Sequence, residues 1–325
     1  MVTIIGAGPI GLAVAIELKK RDINSLIIER GTLVDSIFHY PANMTFFSTS
    51  DKLEIGDIPF ISHGPKPTRR EALEYYRRAA QHYNLGIKLY EEVNEVKGED
   101  GNFEVVTSKN TYKAKKVVLA TGFYGQENKL NVPGEDLPKV THYYDEPHRY
   151  AWQNVLVVGA GNSGVDVALE TWRCGANVTM VVRYDSIKST VKYWVKPDIE
   201  NRIKEGSIKA YFNSELVEIR ETEADIQTPE GLVTIPNDFV LAMTGYHPHF
   251  GLMEKLGIEL TKDENRMPVY DGETLETNRK GLYVAGVVCG GMDTSRLFIE
   301  NTRVHAEQIA QDIELKITAS IEKRI

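Results

Sequence analysis

Two glycine triplets, Gly6-x-Gly8-x-x-Gly11 and Gly159-x-Gly161-x-x-Gly164, are the residues of this chain best suited to hold a phosphate group. Each follows a short apolar run, Val2-Thr3-Ile4-Ile5 or Val155-Leu156-Val157-Val158, and each leads into a stretch with helical spacing. In that setting the first glycine permits a tight turn, the second lets the backbone approach a pyrophosphate, and the third lets helix and strand pack closely. The pyrophosphate then rests on free N–H groups at the positive end of the helix. One such triplet carries little weight, because any strand-to-helix turn can use glycines. Two, each in the right order of elements, predict two dinucleotide cradles: Gly6, Gly8, Pro9, Ile10 and Gly11 in the first, Gly159, Gly161, Asn162, Ser163 and Gly164 in the second.

The residue that closes the second strand of each unit predicts which nucleotide fits. Glu29, followed by Arg30, ends the run Ser25-Leu26-Ile27-Ile28. A carboxylate there accepts hydrogen bonds from ribose hydroxyls and repels a 2′-phosphate, which suits FAD. Arg183, with Lys188 downstream, ends the run Asn177 to Val182. A guanidinium at that place forms charge-assisted bonds to a 2′-phosphate and favours NADPH over NADH. The stretch Tyr40 to Ser50 is rich in aromatic and hydroxyl groups. Against a flavin it wraps the isoalloxazine ring, with Phe46 or Phe47 on the ring and Thr45 or Ser48 donating hydrogen bonds; as an ordinary loop it buries its two phenylalanines.

The elements that must position these residues are repeated. After each βαβ opening come short strand-like runs: 87 to 90, 103 to 107 and 111 to 121 in the first half, and 208 to 212, 215 to 219, 232 to 235 and 239 to 243 in the second. Glu71 to Tyr83 has helical periodicity, and Gly101 and Lys109-Asn110 supply turns for a small antiparallel meander. Gly281 to Gly286 reads as a strand ending in glycine and is followed by a helix from about Leu297 to Ile313. A doubly wound sheet that starts at residue 2 still lacks a strand and a covering helix, so this last block returns to the first domain. The expected fold is α/β, with two Rossmann-like three-layer domains: an FAD domain over 1–119 and 245–325, and an NADPH domain over 120–244 inserted into it at hinges near Ala120-Thr121-Gly122 and Met243-Thr244-Gly245.

A formal net charge of −8 argues against nucleic acid or anionic membrane as a partner. No apolar run approaches the roughly 20 residues that span a bilayer. The first strand begins at residue 2, which leaves no room for a leader and points to the cytoplasm. The two cysteines, Cys174 and Cys289, are too far apart for a Cys-x-x-Cys redox pair or a Cys-rich metal site, so redox chemistry must come from a bound cofactor. His142, His148, His247 and His249 are candidate proton donors only in a loose sense, since histidines so placed are more often structural or solvated.

Several longer stretches are more specific than the glycine triplets. They are Tyr40-Pro41 with Thr45-Phe46-Phe47-Ser48, the run Ser50 to Asp57, Ala120-Thr121-Gly122 with Tyr124-Gly125-Gln126, Asp136-Leu137-Pro138-Lys139-Val140, Gly245-Tyr246-His247-Pro248 and Phe298-Ile299-Glu300-Asn301. On these the chain, from residue 1 to about 312, resembles the thioredoxin-reductase-like flavoproteins, and most of all the bacillithiol disulfide reductase family. The resemblance implies an NADPH-dependent FAD oxidoreductase acting on a low-molecular-weight disulfide, and a homodimer or larger assembly. It also implies that the segment around Gly286 and Glu300 lies over the flavin and its ribityl chain; Ala120, Thr121, Gly122, Gly245 and Val287 are expected among the cofactor-binding residues. Relatives with a thioredoxin-type C-terminal motif carry Gly-Asp where this chain has Gly286-Val287. Members of the bacillithiol group typically place a cysteine where Ile10 stands, and isoleucine forms no mixed disulfide. Reduction would then pass directly from flavin to acceptor, or use Cys289, or serve another acceptor.

Two further functions keep the cofactors. A ferredoxin- or flavodoxin-type NADP reductase fits the absence of paired thiols, with the acidic charge against it. A non-catalytic FAD/NADPH sensor would change conformation on binding without turnover. A flavin monooxygenase is disfavoured, since the Phe-x-Gly-x-x-x-His motif of that family is replaced by Asp136-Leu137-Pro138 ahead of His142.

Overall fold

In the computed structural model, which describes residues 1–322, β1 (Val2–Ile5) is buried along its whole length. Such a run, apolar on both faces, is what a central parallel strand requires. It leads into α1 (Pro9–Lys20), which starts on a proline whose missing N–H costs nothing at a helix N-terminus. Next come β2 (Ser25–Ile28), the short α2 (Asp35–Phe38) and α3 (Arg69–His82). A capping box formed by Thr68 and Glu71 satisfies the first N–H groups of α3. The first half continues with β3 (Ile87–Lys88), β4 (Val93–Glu99), β5 (Asn102–Thr107), β6 (Thr111–Ala114) and β7 (Lys116–Leu119).

The second half repeats the plan with β8 (Val140–Thr141), β9 (Asn154–Val158), α4 (Asn162–Arg173), β10 (Asn177–Val182), α5 (Lys196–Lys204) and β11 (Lys209–Phe212). After these come β12 (Glu215–Ile219), β13 (Glu223–Thr228), β14 (Gly231–Pro236) and β15 (Phe239–Ala242). The chain closes with α6 (Phe250–Lys255), β16 (Leu282–Val284), α7 (Ile299–Thr302) and α8 (Val304–Glu322).

These elements make two compact units, residues 1–39, 44–126 and 246–325, and residues 40–43 with 127–245. The division falls after Gln126 and after Gly245, so Ala120-Thr121-Gly122 clusters with the first unit and Gly245 with the second. Residues 323–325 of the first domain expected from sequence lie outside the described residues. The first unit holds a parallel sheet in the order β16-β7-β1-β2-β3 and a meander β4-β5-β6; the second holds a parallel sheet β11-β10-β9-β15-β8 and a meander β12-β13-β14. The late strand β16 pairs with β7, and α8 packs on α1, so the C-terminal block belongs to the first unit. Among the described residues no helix is long and apolar enough to cross a membrane.

The expected strands need correction in both meanders. The run at 111–121 divides: β6 pairs antiparallel with β5, while β7 joins the parallel sheet between β1 and β16. The run at 87–90 is the edge strand of the parallel sheet, and the first meander strand is instead β4, which carries only Val93 and Val96 inward. A register shift between Val93 and Glu95 brings two residues spaced by three to the same face, which hides the period of two. In the second meander β13 was not expected. The terminal helix, expected unbroken over about 297–313, breaks at Arg303, whose guanidinium donates to the carbonyls of Asp51 and Glu54, and then runs on to Glu322.

Candidate dinucleotide-binding sites

The two glycine turns have the same internal geometry. Gly6 (φ +108°) and Gly159 (φ +119°) take a left-handed backbone, and a Cβ on either would strike a carbonyl oxygen, that of Ala120 at 2.6 Å or of Met243 at 2.5 Å. A Cβ on Gly11 would lie 2.0 Å from the Gly6 oxygen, and one on Gly164 would lie 2.4 Å from the Gly159 oxygen. These four glycines are demanded by the protein itself. The middle pair is different. Gly8 (φ −72°, ψ 174°) and Gly161 (φ −84°, ψ −173°) have backbones open to any residue, and a Cβ on either would meet nothing within 4 Å. Nothing inside the chain asks for glycine at these two points, which is what a cradle for an external group looks like. The residues present therefore fit a pyrophosphate at the head of α1 and another at the head of α4.

In the first unit, Glu29 is buried beside this turn, accepting the N–H groups of Ala7 and Gly31 at 2.8 Å each. Burial raises its carboxyl, with the two N–H bonds opposing. Two lone pairs remain for a ligand. Glu29 lines a cavity of ≈120 Å³ together with Gly6, Arg30, Thr121, Gly122 and His249. The Arg30 guanidinium lies directly against Gly125, where a Cβ would collide with it.

The loop with Thr45, Phe46, Phe47 and Ser48 is held along residues 65–69. Phe46 N–H donates to Pro67 O at 2.9 Å, Arg69 N–H to Met44 O at 2.9 Å, and Lys66 Nζ to Phe47 O at 2.7 Å. Phe46 is buried in the protein, whereas Phe47 is exposed with the Lys66 ammonium 4.8 Å from its ring centroid. Thr45 is exposed and bridged to Thr68. Ser48 Oγ donates to Glu300 Oε2 at 2.7 Å, and Lys52 Nζ pairs with Glu300 Oε1 at 2.8 Å. Those bonds, Lys52 first, hold the Glu300 carboxyl below its usual range.

Gly286 (φ +85°) packs on the first cradle, since a Cβ there would approach Ile10 to 3.1 Å, and Val287 sits against Gly122. The Gly286 N–H donates to His305 Nδ1 at 3.1 Å. Accepting that bond leaves the proton of the neutral ring on Nε2. Burial lowers the His305 imidazole to about 4, so it is neutral near pH 7. Sequence reasoning did not single out His305, and a lone histidine in an amphipathic helix gives no signal to find it. Cys289, offered above as one route for the electrons, is fully buried, with its Sγ 4.0 Å from His305 Nδ1, and burial pushes its thiol up to about 12. Burial of this kind disfavours the thiolate form that attacks a disulfide. Cys174 caps the C-terminus of α4, half-buried.

In the second unit, Asn162 and Ser163 open α4 and are exposed, and Arg183 and Lys188 lie exposed on the segment that leaves β10. Gly245 (φ +89°) follows two residues after Met243, and a Cβ there would approach the Asn128 side chain to 3.4 Å. The structure thus brings Gly6, Gly8, Ile10, Gly11, Glu29, Ala120 and Gly286 together around one turn, and Gly159, Gly161 and Gly164 around the other. Of the expected proton donors, His247 and His249 line the first cavity, while His142 is buried beside Glu135.

Comparison with known proteins places this geometry. The model of the pyridine nucleotide-disulphide oxidoreductase family matches residues 3–286. The bacilliredoxin reductase of Bacillus subtilis is 44% identical over 312 residues, 95% of this chain and 96% of that protein. The solved bacillithiol disulfide reductase of Staphylococcus aureus superposes with a TM-score of 0.94 at 42% identity, covering 97% of this chain and 98% of its own. That of Bacillus cereus superposes with a TM-score of 0.95 at 41% identity, over 97% and 99%.

Proposed function

Because this chain belongs to the pyridine nucleotide-disulphide oxidoreductase family, we propose that it is an NADPH-dependent FAD enzyme that reduces the disulfide of a low-molecular-weight thiol, bacillithiol. The observation that carries this reading is the pair of turns whose middle glycines, Gly8 and Gly161, face open space, with a carboxylate beside the first and cations beside the second. In this proposal the second unit is an NADPH domain inserted into the FAD domain. FAD is held by Gly6 to Gly11, Glu29, Arg30, Thr45 to Ser48, Ala120 to Gly122, Gly286, Val287 and Glu300. NADPH is held by Gly159 to Gly164, Arg183 and Lys188.

When bound, the two coenzymes supply the redox chemistry, NADPH as hydride donor and FAD as relay to the disulfide. The chain's own residues bind, orient and exclude water. Glu29 accepts from ribose hydroxyls while its other lone pairs stay tied to Ala7 and Gly31. Ile10 closes against Gly286. It carries no thiol, and the Cys289 thiol is buried, so neither residue forms a mixed disulfide with the acceptor. The names of the relatives give two acceptors, bacilliredoxin and bacillithiol disulfide, and both belong in the assay.

Arg183→Ala tests the coenzyme assignment. Loss of a charge-assisted contact to the 2′-phosphate should lower kcat/KM for NADPH by about 10- to 100-fold and leave NADH nearly unchanged. Equal losses for both coenzymes would contradict it.

A further inference from the structure

Asn162 stands immediately after the middle glycine of the second cradle, where a side chain could reach a pyrophosphate, yet both ends of that side chain are already engaged. Its Oδ1 accepts the Lys192 N–H at 2.8 Å, and its Nδ2 donates to Thr190 O at 3.3 Å. Two further bonds tie the same segment to the same turn. The Lys188 N–H donates to Ala160 O at 3.3 Å, and Lys192 Nζ pairs with Asp166 of α4 at 2.7 Å. Residues 188–192 are therefore strapped back onto the head of α4.

The strap sorts the cations of this segment. The side chain of Lys192 is only 13% exposed and its charge is matched by Asp166. Arg183 and Lys188 are exposed, with the Lys188 ammonium 5.4 Å from the Tyr184 ring centroid. A phosphate that meets this segment is met by Arg183, which directly follows β10, and by Lys188, on a loop whose position the strap sets. A long cation on an untethered loop loses rotamer and backbone freedom when it binds, and pre-ordering the loop reduces that loss.

We infer that Asn162 is a specificity-positioning residue: through Thr190 and Lys192 it holds residues 188–192, and with them Lys188, against the cradle, and so confers preference for a coenzyme bearing a 2′-phosphate. The inference rests on the proposed binding of NADPH by the second unit. It differs from the role of pyrophosphate ligand, because a ligand to the part common to both coenzymes would favour NADPH and NADH alike.

The test uses the full-length protein with Asn162→Ala, Asn162→Asp and Arg183→Ala. Titration calorimetry with NADP⁺ and NAD⁺ gives the ratio of affinities, and hydrogen exchange of the unliganded protein follows the amides of residues 188–192. Asn162→Ala is expected to lower the NADP⁺ preference by about tenfold, the scale of one charge-assisted contact, with faster exchange at Lys192. Asn162→Asp keeps an acceptor for the Lys192 N–H and should keep that amide protected. Equal loss of affinity for both coenzymes, or unchanged exchange in Asn162→Ala, would overturn the inference. If Arg183→Ala leaves the ratio unaltered, the NADPH reading of this segment fails, while the exchange data still judge the strap on their own.

Discussion

Gly8 and Gly11 lie three residues apart and are glycine for opposite reasons. At Gly11 a methyl group would overlap the Gly6 carbonyl, so Gly11→Ala should destabilise the fold by more than about 3 kcal/mol, read as a fall in the urea midpoint. Gly8 has an extended backbone at the N-cap of α1 and empty space around it. Threonine is a good N-cap, so Gly8→Thr should leave the stability of the cofactor-free protein unchanged within about 1 kcal/mol while abolishing the yellow colour of bound flavin. A Gly8→Thr protein that stays yellow would remove the reason given for that glycine. The motif spacing made the presence of these glycines legible in the sequence, but not which of them the protein needs for itself; for Gly6 and Gly159 that depends on Ala120 and Met243, far along the chain. Cys289 was legible only as a lone thiol. Its burial in the core of the first unit predicts that Cys289→Ala retains disulfide reduction, at a stability cost of about 1 kcal/mol. His305 adds a pH dependence. Its folded value of about 4 lies below the ordinary histidine value of 6.5, so the unfolded chain binds the extra proton between the two. Its contribution to stability should be fully present above about pH 6.5 and be lost as pH drops toward 4, by up to about 3 kcal/mol. Denaturation of His305→Leu across pH 4 to 7 should lack this slope.

At the scale of elements, the opening parallel strands were legible because burial on both faces writes itself as a nearly continuous apolar run, as in β1 and β9. The meander strands were less so. β4 places only Val93 and Val96 inward across a bulge, and its other residues are exposed, so neither apolar content nor alternation marks it. The loop over residues 44–50 was recognised from its composition, but its anchorage was not, because the partners lie some twenty residues later at the head of α3. If the loop holds the flavin as proposed, that anchorage gives α3 a functional task. Thr68 caps the helix and bridges Thr45, so Thr68→Ala should cost about 1 kcal/mol of stability and also loosen flavin binding. Faster flavin release on dilution, measured by the rise in free flavin fluorescence, checks the second effect.

Across the whole molecule the sequence repeats one architecture twice and gives the two copies different charges. Glu29 ends the second strand of one unit, and Arg183 stands at the same place in the other. That contrast was readable before any coordinates, since it depends only on which residue follows an apolar run. The strapping of the 183–192 segment was not, because a hydrogen bond from Asn162 to a loop about thirty residues away leaves no periodic trace. The central claim is that these two cradles serve electron transfer from NADPH through FAD to a disulfide. It is tested most directly by adding NADPH to the purified protein without oxygen while following the flavin absorbance near 450 nm. The account predicts a yellow protein that NADPH bleaches faster than NADH does, and whose colour returns on adding bacillithiol disulfide, with or without bacilliredoxin. A protein that binds no flavin, or whose colour returns with ferredoxin or flavodoxin and with neither thiol acceptor, would contradict it.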